Sequence, residues 1–232
     1  MFATGPVSAT TNCLTLDLDW RWHRPKPRQS TPRGEPRADE RPIRCSFAGE
    51  TLSAAPSGLP FADGSIKQVE CSAILAYVRN DIGLASELAR VLAPGGFLHL
   101  RVPAAGPLAG LDAFNLHRYL VDTTHRGLRP FETAEIGWRR HYSENDLRLL
   151  FPERDFELVN QRREAIALAE IIRLAGFVAF RWLRPSRDRY RQVAHRASQV
   201  ESTERKLVVP FGFWLEVSFR RRRPSATTGA SI

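Results

Sequence analysis

Apolar and polar residues are ordered most regularly between positions 59 and 103, which read LPFADGSIKQVECSAILAYVRNDIGLASELARVLAPGGFLHLRVP. A polar turn, Ala62-Asp63-Gly64-Ser65, precedes a short strand at about Lys67 to Ser72. Ile82, Leu84, Ala85, Leu88, Val91 and Leu92 then recur on one face at the helical period, which predicts a helix from about Asp81 to Leu92. Asn80 or Asp81 can cap its start, and Pro94-Gly95-Gly96 stops it. Phe97 to Val102 reads as a second strand. Strand, crossover helix and strand form a β-α-β unit, in which the strands run parallel and the connection is right-handed.

The remaining elements follow from the same patterns. Cys13 to Trp20 alternates and predicts a strand ending in acid, and Ile43 to Ala48 predicts another, followed by a loop of small residues from Ser53 to Gly58. After a Gly/Pro/Ala loop at 103–110, Leu111 to Arg140 carries His117, His125 and many aromatic and arginine residues. Ser143, with Asp146 three residues on, predicts a capping box and a helix through Leu150. Phe156 to Val159 reads as a strand, Ala165 to Leu183 as a long helix stopped by Pro185, and Arg187 to about Arg205 as an arginine-rich helix. Leu207 to Val209 and Phe213 to Phe219 give the last strand, split by Pro210 and Gly212.

With 232 residues, 43% of them hydrophobic, the chain can bury one core. Residues 1–20 form an N-terminal strand region, 21–44 a flexible Pro/Arg-rich insert, 45–219 the main domain with a helical insertion at about 164–205, and 220–232 a disordered basic tail. The net charge of +9 is uneven. Residues 21–44 and 181–206 each carry eight basic against three acidic side chains, and Arg220 to Arg223 add four more. Such stretches are most often solvated faces, and they can also attract nucleic acid or an anionic membrane surface. The Trp182, Arg184 and Arg187 cluster suits a membrane-interface helix, although packing in a core or a dimer is the commoner use of such a helix. Three cysteines without metal-ligand spacing argue against zinc or a disulfide scaffold and fit a reducing cytoplasm. No leader sequence and no spanning apolar run is expected.

Leu59-Pro60-Phe61, Asp63-Gly64-Ser65 and Glu87-Leu88-Ala89-Arg90-Val91-Leu92-Ala93-Pro94-Gly95-Gly96 resemble the fourth strand, following helix and fifth strand of class I S-adenosylmethionine-dependent methyltransferases. The resemblance covers about 45 residues. It implies an α/β fold with a Rossmann-like methyltransferase sheet, incomplete at the N-terminus, with the helical insertion before the last strand. It also implies S-adenosylmethionine as cofactor and an acceptor that the sequence does not identify.

The family holds the cofactor's ribose with an acid at a strand end, for which Asp17 is the match, with Asp19 as its neighbour, because a carboxylate can accept from two hydroxyls at once. A surface acid at a strand end is the alternative. The family's Gly-x-Gly loop is not intact here. Either Gly5-Pro6 is its remnant, or Leu16-Asp17-Leu18 is the first strand and Asp19, Trp20 and Arg21 stand where glycines belong. Ser57 replaces the usual adenine-binding acid, Lys67 the usual Asp, and Ala76-Tyr77 the usual Glu-His. Ser72 closes the fourth strand and should line the crevice, since ligands bind at the carboxyl ends of parallel strands. His141 opens a helix as in the family and is read as structural, and Tyr77 as a core aromatic. The cofactor contacts are therefore Gly5, Asp17 and Ser72, with no general base selected. The competing reading is a non-catalytic relative that acts as a binding or scaffolding subunit with a protein partner or as a homodimer.

Overall fold

The computed structural model describes residues 13–18, 43–127, 137–184 and 186–223, and leaves the side chains of Asp17, Leu18 and Arg187 undescribed. Its centre is the expected crossover. β4 (Ile66–Ser72) pairs parallel with β5 (Leu92–Pro103), and α1 (Asp81–Val91) joins them. Asn80 caps α1 by accepting from the Gly83 amide at 2.8 Å. Leu84, Ala85, Leu88 and Val91 are buried, whereas Ile82, in the first turn, faces solvent. The chain leaves α1 directly into β5 at Leu92, so Pro94-Gly95-Gly96 lies inside that strand, where its register against β4 shifts. Gly96 is required by close approach: a Cβ there would lie 2.7 Å from the Lys67 carbonyl oxygen.

The motif residues around this unit are tied by one side-chain clasp. Glu87 accepts from the Leu59 amide at 2.9 Å and from Arg90. Arg90 in turn donates to the carbonyls of Leu59 and Phe61, at 3.0 and 2.8 Å, and to Asp63 at 2.6 Å. The clasp locks the Leu59-Pro60-Phe61 approach onto the crossover helix, which explains why these residues occur together.

Among the described residues seven strands form one sheet in the order β3-β2-β1-β4-β5-β7-β6. β1 (Cys13–Leu18) pairs parallel with β4; β7 (Trp214–Arg221) is antiparallel to both β5 and β6 (Phe156–Glu164). The fold is thus α/β and Rossmann-like on the β1-β4-β5 side, as expected. Beyond β1 the parallel arrangement ends. β2 (Ile43–Phe47) is antiparallel to β1 and makes a hairpin with β3 (Glu50–Ala54), through a turn in which Ala48 and Gly49 both have positive φ. Glu50 to Ala54 was not expected to be a strand.

α2 (Ala113–Thr124) follows β5, and α3 (Glu144–Leu150) carries the expected capping box of Ser143 and Asp146. The insertion between β6 and β7 comprises α4 (Leu168–Phe177), a π-helical turn (Val178–Leu183) and α5 (Arg187–Glu204). α4 starts three residues later than its apolar pattern suggests, because Ala165 and Ala167 adopt left-handed backbone. Trp182 is half-buried, and its Nε1 donates to Thr124 Oγ1 at 3.2 Å, in keeping with packing as the commoner use of such a helix. The main core runs through β1, β2, β4, β5 and α1, while Ala113, Phe114, Phe177 and Tyr190 form a second cluster under the insertion. No helix among the described residues is long and apolar enough to cross a membrane.

Removing the clasp should be costly chiefly through its backbone bonds. Arg90→Ala is expected to lose about 2 kcal/mol in urea unfolding, since two carbonyls and Glu87 lose their donor. Asp63→Asn should cost less than about 0.5 kcal/mol, because Asp63 is 80% exposed and its ion pair is screened.

Candidate functional site

The strand order identifies where a ligand would sit. From β1 the chain builds outward to β2 and β3, then returns to β4 beside β1 and builds the other way to β5. The connections diverge between β1 and β4, and in open α/β sheets the crevice outside the carboxyl ends at such a reversal is the ligand site. At that edge β4 ends in exposed Ser72, followed by Ala73 in the left-handed region (φ 62). Antiparallel β2 brings its first residue, Ile43, to this edge opposite Leu18, and β3 brings its last, Ala54. β5 ends at Pro103, followed by Ala104, Ala105 and Gly106. Small residues (Ala54, Ala73, Ala104, Ala105 and Gly106) thus share the edge with Leu18 and Ile43, and the amides of Ala73, Ala104 and Ala105 are bonded to the carbonyls of Arg101, Phe213 and Tyr142.

Of the residues assigned from sequence, Ser72 lies at this edge. Asp17 is the penultimate residue of β1, in register with Arg44 of β2, and its side chain is not described. Since β1 pairs directly with β4, Leu16-Asp17-Leu18 occupies the strand at the switch point, and the chain leaves it through Asp19, Trp20 and Arg21. Gly5, and these three residues, lie outside the described residues. Ser57 is exposed in the loop after β3. No group of three or more His, Cys, Asp or Glu able to hold a metal occurs among the described residues.

What the sequence did not announce is the wall beside this edge. A chain of buried charges links the end of the sheet to the insertion. Arg101 of β5 donates through Nε to Glu164 at 2.7 Å and through Nη1 to Glu201 of α5 at 2.9 Å. Arg173 of α4 bonds both Glu201 and Glu170. Arg139 donates to Glu170 at 2.8 Å and to Asp112, the cap of α2, at 2.5 Å. Aromatic rings flank the cations: Arg101 lies 3.9 Å from the Trp214 ring centroid, and Arg139 packs over Phe114 and Phe213. Glu170 and Arg173, three residues apart on an apolar helix, were the single visible clue.

Tyr77 and His141 join this wall, and Tyr142 is bonded beside it. Tyr77 accepts from Arg139 Nη1 at 3.2 Å, and burial pushes its phenol up to about 12. It is a core aromatic, as its sequence context suggested. Tyr142 donates to the Leu75 carbonyl at 2.8 Å, and its phenol is also pushed up by burial. His141 Nε2 lies 3.2 Å from Asp112 Oδ2 and its ring packs edge-on to Phe213, which makes it a supporting residue of the network. Burial alone would raise the carboxyl of Glu201, but Arg173 and Arg101 outweigh it and hold the group at about 2. Asp112 is likewise lowered, because Arg139 and His141 offset its desolvation.

A separate open groove of about 1680 Å³ lies between α1, α3 and the arginine-rich end of β7, lined by Ile82, Arg90, Arg140, Leu149, Arg154 and Arg222 among others. His141 and Tyr142 also line it, so it abuts the far side of the wall. Arg140 there is spoken for by Asp81 at 3.0 Å, and Arg222 by the Glu153 carbonyl at 2.7 Å.

No protein-family model matches the chain, and no curated protein matches it in sequence. Solved structures similar to it include an S-adenosylmethionine-dependent methyltransferase from Methanosarcina mazei (18% identity, TM-score 0.40, covering 73% of this chain and 65% of that one). The [4+2]-cyclase SpnF is 16% identical with a TM-score of 0.42, over 75% and 56% of the two chains. Loganic acid methyltransferase, solved with S-adenosylhomocysteine, is 12% identical with a TM-score of 0.42, over 73% and 65%. The chain thus spans less than two thirds of the length of each of these structures. Likenesses at this level do not assign an activity.

Two outcomes test the charged wall. Arg139→Met is expected to cost about 3–5 kcal/mol, because it leaves buried Asp112 without an arginine and buried Glu170 with Arg173 alone. Glu201 is depressed in the fold, so its contribution is complete above the ordinary carboxyl value and disappears as pH falls towards about 2. Denaturant unfolding should therefore show stability falling between about pH 5 and pH 2, with Glu201→Gln flattening that slope.

Proposed function

We propose that the edge between β1 and β4 binds S-adenosylmethionine and that the protein is a methyltransferase-type domain passing the cofactor's methyl to an acceptor. The observation that carries this reading is the reversal of strand order at the carboxyl ends of β1 and β4, with Ser72 as an exposed polar group there. Its hydroxyl can both donate to and accept from a nucleoside. Ser72 and Asp17 would hold it, and Gly5 would approach its methionine part. When bound, the cofactor supplies a methyl group on a sulfonium, an electrophile that needs no further activation. The chain's own task is to align the acceptor atom with that methyl.

A second reading is supported by the charged wall. Tyr77 and Tyr142 are hydrogen-bonded with raised phenol values, and His141 is packed against Asp112, so the described groups near the edge are committed to structure. A non-catalytic relative serving as a binding or scaffolding subunit fits that commitment. Purification of the natural complex separates the two, since a catalytically competent methyltransferase partner would favour the scaffold.

Calorimetry of the full chain with S-adenosylhomocysteine should show saturable heat. Ser72→Tyr, which fills the rim, should lower affinity at least about tenfold while leaving the thermal midpoint unchanged, because the position is exposed. Absence of heat with the parent protein at high concentration would remove the cofactor reading.

A further inference from the structure

Six large apolar side chains stand out of the protein beside the insertion. Ile166, Leu168 and Ile171 come from the start of α4, and Leu207, Val208 and Phe211 from the loop before β7. Val208 is 61% and Phe211 65% exposed. The two segments are fastened together by backbone bonds. Ala165 donates to the Leu207 carbonyl at 3.0 Å, Val209 to that of Arg163 at 3.1 Å, and Phe213 to that of Ala165 at 2.9 Å. Gly212 lies so close to Glu164 that a Cβ would be 2.3 Å from its backbone nitrogen. Ile166 stands between left-handed Ala165 and Ala167, a conformation that non-glycine residues adopt only where neighbours hold it. Here Glu204 holds it, accepting from the amides of Ile166, Leu168 and Ala169. The apolar tips are thus displayed on a built platform.

The charges around them leave an excess of cations. Glu164, Glu170 and Glu204 are buried, and Glu201 is spent on Arg101 and Arg173. Arg162, Arg205 and Lys206 face solvent; Arg162 and Arg205 share the partly exposed Glu216 and lie against buried Glu164, so three exposed cations there meet one accessible acid. An exposed apolar patch on a soluble surface marks an interaction site, and one with a cationic margin matches the boundary between acyl chains and anionic headgroups.

We propose that this patch docks the protein onto an anionic bilayer surface, with Val208 and Phe211 entering the headgroup layer while Arg205 and Lys206 meet lipid phosphates. A second copy fits less well, because a two-fold contact would bring the same cations of both copies together. A nucleic acid fits less well, because it would leave the aliphatic tips in water. The docking stands apart from the methyl-transfer reading and is tested without any activity.

The test is sedimentation of the full chain with vesicles of phosphatidylcholine alone or mixed with phosphatidylserine. The protein should partition onto the mixed vesicles and release as salt rises. Val208→Ser with Phe211→Ser should reduce partition at least about tenfold, whereas Leu149→Ser, an equally apolar exposed site on α3, should leave it unchanged. Arg205→Glu with Lys206→Glu should weaken binding and flatten its salt dependence. Thermal unfolding of each variant checks that it is folded. Failure of the parent to sediment with the mixed vesicles, or equal sedimentation of the Val208/Phe211 variant, overturns the proposal. So does a dimer in light scattering that this variant dissociates, or RNA retention that it leaves intact, where vesicle binding is lacking.

Discussion

Buried charge joins the insertion to the sheet beside a small apolar cluster. Arg101, Glu164, Glu201, Arg173, Glu170, Arg139 and Asp112 run as one continuous series from β5 through α5 and α4 to the cap of α2. Each ion has given up water, and its place in the fold is tolerable only because a partner of opposite sign is held beside it. This makes the arrangement all-or-none: removing one member leaves others buried and unpaired. The directional hydrogen bonds of this series link α4 and α5 to β5, β6 and α2 at defined positions. The rim at the carboxyl end of the sheet depends on those positions, since Glu164 ends β6 and Arg101 lies in register with Ser72.

The crossover was legible because its signals are local. One helix face, a capping residue at Asn80 or Asp81 and the helix-stopping Pro-Gly-Gly sufficed to place β4, α1 and the body of β5, although Pro94-Gly95-Gly96 lies within that strand, and the capping box placed α3 equally well. Ile82 misled because a first-turn residue can satisfy the helical period yet lie beyond the sheet's reach. The β2–β3 hairpin was not legible for two reasons. Glu50 to Leu52 and Ser53 are exposed, so the edge strand lacks the alternation that marks a half-buried one. Its turn uses Ala48-Gly49, where the habitual signal would be Asn-Gly or Asp-Gly. What holds β3 is backbone pairing to β2, to which side-chain patterns are blind.

Of the candidate site, Ser72 could be placed from its position at a strand end, and Asp17 from the alternation of β1. The wall beside them could not, because its partners are far apart in sequence: 63 residues separate Arg101 from Glu164, and 100 separate it from Glu201. Arginines in α5 read as a solvated charge run, and most of them are. The two acids that matter, Glu201 and Glu204, sit on the same helix as ordinary polar positions. Only the fold shows that both turn inward, one to the network and one to the amides that open α4.

That inward turn has a consequence for the outside of the molecule. α4 and α5 spend Glu170, Glu201 and Glu204 on internal partners while Arg189, Arg191, Arg196 and Arg205 face solvent, so the pair presents an excess of cations to water. The same carboxylate that holds the strained start of α4, Glu204, precedes Arg205 and Lys206 and then the apolar loop that ends in Phe211. Internal anchoring and external polarity are therefore two faces of one choice. The acids were needed inside to seat the insertion, and the surface that results is apolar at its centre and positive at its margin.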